Sequence, residues 1–212
     1  MLITKIERQK KHPSRVSVFI DGEFAFGMSD KLLLLFSLHQ GASLEQGEID
    51  KILGAELEET AKQKAFRFLS IRPRSKKEIK DYLLRKEYSE DIAETVILKL
   101  ESLKLLDDAA FARMLCRDSM IRKPMGEKLA RQMMFKKGVP RPVIDSVIPE
   151  FFSSESELIL ALKAAEKHQQ RARRSSKIFD ELHVKKKLLD FLMRRGFAYE
   201  TAMSAAKQTL MK

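Results

Sequence analysis

The sequence predicts a mainly α-helical protein: three tandem three-helix repeats forming an elongated curved array, preceded by a small N-terminal β-hairpin and helix region. Three observations carry this prediction. Apolar residues alternate with polar ones on either side of Asp21-Gly22, which is a hairpin signature. Beyond Gly54 the apolar period changes from two to about 3.6. One short pattern then returns three times, as Arg85-Lys86-Glu87-Tyr88, Lys136-Lys137-Gly138-Val139 and Arg194-Arg195-Gly196-Phe197, at offsets of 51 and 58 residues. Those offsets exceed common solenoid periods and suit three helices per unit rather than two.

Taken in order, Val16, Val18 and Ile20 alternate with Arg15, Ser17 and Phe19, and Phe24 and Phe26 continue the alternation after the turn. Leu2 to Glu7 supplies a third strand, with His12-Pro13 in the connecting turn. Asp30 caps a short apolar helix through Leu38, and a second polar start near Ser43 leads toward Ile52. Residues 1–55 form this N-terminal region.

Repeat 1 (56–106) opens with a helix whose inward face is Leu57, Ala61, Ala65, Phe68 and Leu69, stopped by Pro73. Ser75 and Glu78 make a capping box for a second helix carrying Ile79, Tyr82 and Leu83. A third helix follows from about Ser89, with Ile92, Val96, Leu100 and Leu103 inward. Repeat 2 (107–154) begins at Asp107-Asp108, with Phe111, Met114 and Leu115 inward. Gly126 opens its second helix, bearing Leu129 and Met133, and Arg141-Pro142 its third, bearing Val143, Val147 and Ile148. Repeat 3 (155–212) is the most basic. In the repeat alignment Ile79, Ala130 and Leu188 coincide, as do Tyr82, Met133 and Phe191.

The 212 residues are 44% apolar and 33% charged, which excludes a disordered chain and supplies a sizeable core. There are 41 Lys plus Arg against 30 Asp plus Glu, a formal charge of +11. Residues 156–212, with 13 basic and 6 acidic side chains, hold most of the excess. An acidic partner such as nucleic acid follows from that balance. A single cysteine, Cys116, excludes a disulfide framework and fits a reducing compartment. The longest apolar run, Leu32 to Phe36, is far short of a membrane span, and Met1 to Lys11 lacks a signal-peptide pattern. A cytoplasmic, monomeric protein with no membrane partner is expected.

Catalytic and cofactor chemistry find no constellation here. The run from Gly22 to Ser29 has the spacing of a phosphate-binding loop but places Met28 where the lysine must stand. Asp107-Asp108 reads as a helix cap, not a metal site. His12, His39, His168 and His183 are scattered, and Cys116 reads as a small core residue. No catalytic residue, metal or cofactor is expected. Each dibasic pair falls in the last turn of a middle helix, where a cation gains about 0.3–1 kcal/mol against the helix dipole. Three equivalent pairs, Arg85 and Lys86, Lys136 and Lys137, Arg194 and Arg195, would also make a line of six positive charges, and both readings stand. Arg171, Arg173, Arg174, Lys185, Lys186 and Lys187 add to it in repeat 3. These twelve are the candidate partner- or nucleic-acid-binding residues. Tyr88 and Phe197 are read as core plugs, so base-specific readout is not expected.

The stretch from Ala65 to Ile148 contains AFRFLSIRPRSKKEI (Ala65 to Ile79), LDDAAFAR (Leu106 to Arg113), KPMG (Lys123 to Gly126) with Leu129, and KKGV (Lys136 to Val139). On these motifs it resembles the RecX family of bacterial recombination regulators. Glu127 departs from the family's usual small residue or proline, and the third repeat matches loosely. The resemblance implies an N-terminal region before three tri-helical repeats. It also implies a non-enzymatic protein that binds the RecA recombinase filament on single-stranded DNA and modulates, usually inhibiting, its ATPase and strand exchange. DNA contact would be weak and sequence-independent. The alternative from another class is a helix-turn-helix DNA-binding transcription regulator; a protein-only scaffold is a third reading.

Overall fold

The computed structural model describes residues 1–173 and 181–211. It divides into two compact units, one of residues 1–72 with 79–100 and one of residues 73–78 with 101–212.

The first unit opens with strands β1 (Ile3–Gln9), β2 (His12–Ile20) and β3 (Glu23–Ser29), an antiparallel sheet in that order. Asp21 (φ 50°) and Gly22 (φ 92°) make the left-handed two-residue turn that the sequence predicts between β2 and β3. The first turn differs from expectation. It is Lys10-Lys11, and His12 and Pro13 lie inside β2. The register shifts between Arg8 and Gln9, and β3 pairs only from Arg15 onward, so Pro13 sits where no ladder needs its missing N–H.

A bulge between β2 and β3 corrects the reading of Phe24. The β2–β3 register slips between Val18 and Phe19, so Phe24 pairs with Phe19 on the outer face, rings edge-on at 5.9 Å, while Phe26 is buried. Ile3, Val16, Val18, Ile20, Phe26 and Met28 form the inner face. Leu32 and Leu44, with Ile49 and Ile52, cover it.

Helix α1 (Asp30–Leu35) is capped by Ser29 rather than Asp30, and it ends before Ser37 (φ 51°), short of the predicted Leu38. The two helical starts predicted on either side of Gly54 are one helix, α2 (Gln46–Ile71). A single glycine costs a helix about 1 kcal/mol relative to Ala, and burial offsets it. Ile49 and Ile52 enter the sheet core. Glu56, 7% exposed, accepts from the Ser29 amide at 3.0 Å and pairs with Arg15 at 2.6 Å. Leu57 is exposed, contrary to prediction, because Glu56 takes the inward position beside it. Phe68 stacks on Tyr82 at 4.2 Å. In α3 (Lys76–Leu84) Ile79 and Leu83 are fully buried, as are Ala93, Val96 and Leu100 in α4 (Glu90–Ser102). Leu103 lies past the end of α4 and is exposed; Leu106 takes the buried place.

The second unit holds α5 (Asp108–Ile121), α6 (Glu127–Lys136), α7 (Arg141–Val147), α8 (Ser154–Arg173), α9 (Glu181–Arg194) and α10 (Tyr199–Leu210). One core joins them through Phe111, Met134, Ile148, Leu188, Leu192 and Phe197. On α6 the fully buried positions are Ala130 and Met134, with the predicted Leu129 and Met133 at the rim of that face.

Candidate nucleic-acid interface

The three middle helices, α3, α6 and α9, end alike. Glu87 (φ 64°), Gly138 (φ 79°) and Gly196 (φ 84°) take the left-handed position just past the helix. Tyr88 then donates its N–H to the Leu83 carbonyl at 3.2 Å, Val139 to Met134 at 3.0 Å and Phe197 to Leu192 at 3.3 Å. This is a Schellman closure, and it buries Tyr88, Val139 and Phe197 as plugs. Lys136-Lys137 and Arg194-Arg195 therefore occupy the last helical residue and the residue that caps it, and Arg85-Lys86 follow Leu84 at the equivalent place before the left-handed residue. The sequence alignment of the repeats corresponds to one local structure.

In two of the three pairs the members have different roles. Arg85, Lys86, Lys136 and Arg194 are exposed. Lys137 is turned inward: its Nζ lies 2.7 Å from Glu78 Oε1 and 5.9 Å from the Phe111 ring centre. Its carbonyl accepts from Ser75 Oγ at 2.5 Å, and Ser75 also caps α3 by accepting from the Glu78 amide at 3.1 Å. Arg195 donates from Nε to the Pro124 carbonyl at 2.9 Å and from Nη2 to Lys123 at 2.7 Å, and its own carbonyl accepts from the Gly126 amide at 2.9 Å. Thus the end of α6 is seated on the start of α3, and the end of α9 on the start of α6.

The Leu106–Arg113 segment is equally architectural. Asp107 caps α5, accepting from Ala109 at 2.7 Å and Ala110 at 3.1 Å, while the buried Asp108 accepts from the Lys76 amide at the start of α3 at 3.0 Å. Burial raises the Asp108 carboxyl above its ordinary range. Lys76 pairs with Glu101, and Arg113 grips Glu150 with Nε and Nη2, both at 2.9 Å. Burial pushes the Cys116 thiol up to about 11, so it is not an activated nucleophile. Glu127, the residue that departs from the family pattern, pairs with Arg131 at 2.6 Å and presents its amide to Glu157 at 3.1 Å.

In repeat 3 the structure brings some candidates together and leaves others apart. Lys185, Lys186 and Lys187 are exposed on α9. Arg171 is exposed near the end of α8; the side chain of Arg173, and Arg174 as a whole, lie outside the described residues. Arg171 and Arg195 line one cleft with Arg122, Lys123, Lys167, His168 and Phe191, floored by Pro124 and Ala164. Among the described residues no carboxylate lines it. Arg122, Lys123, Lys167 and His168 were missed from the sequence. The available signal was the Lys167–Arg171 spacing of four, which puts both cations on one helical face with His168 beside them.

Among the described residues no helix is long and apolar enough to cross a membrane, and no group of three or more His, Cys, Asp or Glu side chains is placed to hold a metal ion.

Comparison with known proteins places this geometry in a family. Residues 1–45 match the family model for the regulatory protein RecX N-terminal domain, 61–100 the RecX first three-helix domain and 107–148 the second. The chain is 31% identical over 208 residues to "Regulatory protein RecX" of Listeria monocytogenes serotype 4a, covering 98% of this chain and 76% of that one. It is 29% identical over 199 residues to the protein of that name from Clostridioides difficile, covering 94% and 91%. A crystal structure of regulatory protein RecX superposes with a TM-score of 0.74 at 27% identity, covering 100% of this chain and 99% of that one. These relatives are named as regulatory proteins rather than enzymes. With its tri-helical repeats and small N-terminal sheet, the chain belongs to the RecX family of regulatory proteins.

Proposed function

We propose that this protein binds the filament that the RecA recombinase forms on single-stranded DNA and inhibits its ATPase and strand exchange, acting as a cytoplasmic monomer. Membership of the RecX family over nearly the whole chain carries the reading. The three helix ends of one geometry support it, because each offers exposed cations at the same local position: Arg85 and Lys86, Lys136, and Arg194. Successive weak contacts of one kind suit a partner built of repeating subunits, and linked weak sites gain about a hundredfold to ten-thousandfold over one alone when they bind together. The basic cleft beside Arg171 supplies a DNA contact that is indifferent to base order, since cations address phosphates rather than base edges.

The test is recombinase ATPase on single-stranded DNA, titrated with the intact protein and its variants at fixed salt. Arg85→Glu with Lys86→Glu, Lys136→Glu, and Arg171→Glu should each weaken inhibition in graded fashion, and DNA affinity should fall with log salt at a slope near −4 if about six phosphates are neutralised on a single strand. An intact protein that leaves ATPase and strand exchange untouched while selecting one duplex sequence by about a thousandfold would install the transcription-regulator reading instead.

A further inference from the structure

We propose that the cleft bounded by residues 122–124, α8 and the end of α9 seats a backbone phosphate of a nucleic-acid strand, and that His168 takes up a proton as the phosphate enters. Strand binding would then strengthen as pH falls from 8 to 6. The proposal rests on the DNA-contact part of the reading above, and adds to it a seat and a titrating group.

The cleft is a concentration of cations with one exception among its polar walls. Arg122 and Lys123 come from the segment after α5, Lys167 and Arg171 from α8, and Arg195 from the end of α9. Arg195 is engaged with the Pro124 and Lys123 carbonyls and so fixes the wall while keeping its charge. Lys167 reaches the Ile121 carbonyl at 3.5 Å. Asp118 stands 3.7 Å from Arg122 in an exposed pair. The exception is His168. Its half-buried ring stacks against Phe191 with centres 4.2 Å apart and planes at 32°. It is thereby held in the cleft as a ring on a ring.

Among the described residues, the charged groups that share the cleft with this imidazole or act on it are positive: Arg171 and Lys167 on its own helix, Arg194 and Arg195 from α9, and Arg122 with Lys123 from the segment after α5. Burial, then Arg194 and Arg171, hold its pKa below the ordinary histidine range, which disfavours the imidazolium in the free protein. Lysine and arginine carry their charge throughout this pH range and attract a phosphate equally at every pH. His168 does not. An anion among these cations offsets the repulsion that adds to burial in disfavouring the charged ring, so the bound state favours the imidazolium more than the free state does. Binding then consumes a proton. Its affinity falls as pH rises through the window between the free and bound pKa values, by at most tenfold per pH unit.

The measurement is fluorescence anisotropy of an end-labelled oligo(dT) of about 20 nucleotides with the full chain, at constant ionic strength and pH 6, 7 and 8. The intact protein should bind roughly five- to tenfold more tightly at pH 6 than at pH 8. His168→Gln should match it at pH 8 and lose the pH dependence. The same pH slope in both proteins overturns the proposal.

A second measurement needs no variant. Proton NMR of the native protein follows its four imidazoles, and one midpoint should move up when the oligonucleotide is added and stay when inorganic phosphate is added at equal phosphate concentration. No movement with the oligonucleotide sinks the seat. An equal movement with inorganic phosphate makes free phosphate the occupant and overturns the strand assignment. Recombinase ATPase read on the same samples separates the two levels. Inhibition that persists without proton linkage removes only the phosphate seat, whereas proton-linked strand binding without inhibition removes the recombinase reading.

Discussion

The two joints between successive middle helices use one backbone device with different side-chain chemistry. At the joint of α6 on α3, the C-cap carbonyl of Lys137 is met by the Ser75 hydroxyl, and the lysine ammonium reaches Glu78 in the first turn of α3. At the joint of α9 on α6, the C-cap carbonyl of Arg195 is met by the Gly126 main-chain amide, and the guanidinium reaches two carbonyls. In both, a left-handed glycine follows the cap, and a methyl group on it would collide with the helix start beneath: Gly138 with the Lys77 side chain, Gly196 with the main chain and Cβ of Leu129. The difference teaches what a repeat array must hold constant. Backbone approach and handedness are shared, while the polar partner varies, because any donor that satisfies a helix-end carbonyl serves.

The largest expected effect therefore falls on the glycines. Gly196→Ala combines an alanine at positive φ with a clash against backbone that cannot swing aside, and should cost about 3–4 kcal/mol in chemical denaturation. Gly138→Ala meets a side chain that can shift in part, and should cost about 2 kcal/mol. Equal losses at the two sites would mean that the α9 joint yields as easily as the α6 joint.

The polar halves come next. Arg195→Lys gives up the planar fork across two carbonyls and should lose about 1–2 kcal/mol with little salt dependence. Lys137→Met removes a partly exposed ion pair, worth about 0.5–1 kcal/mol, and its loss should shrink as salt rises. A strong salt dependence for the arginine variant, or none for the lysine one, would undo the distinction drawn here.

The smallest effect is at Glu87, which takes the same left-handed position at the end of α3 with a side chain in place. Glu87→Gly should be neutral or stabilising by up to about 1 kcal/mol, since glycine relieves the positive φ at some cost in unfolded-state entropy. A thermal shift of the opposite sign would show that the Glu87 side chain contributes to its helix end.

Much of this was readable from the chain. The hairpin at Asp21-Gly22, the Ser75 to Glu78 capping box and the alignment of Ile79, Ala130 and Leu188 are all in the structure, the last three at 0%, 4% and 1% exposure. Each depends on residues within a turn or two of one another, where dihedral preference and apolar period act directly. The face taken by Phe24 was not readable, because a one-residue bulge in the pairing with β2 reverses it and leaves no mark on the alternation itself.

The sequence by itself determined the helix periods, the caps, the three repeated helix ends and the excess of positive charge. Only the tertiary structure decided that Lys137 and Arg195 are spent on architecture while Lys136, Arg194 and both members of the first pair face solvent. Lys137 is held by Glu78, 59 residues away, and Arg195 by Pro124, 71 away. The same holds for the cleft around His168, whose cations come from three separate segments of the chain. A cation's role depends on what is brought against it, and that is settled by packing between distant helices rather than by any local preference of the chain.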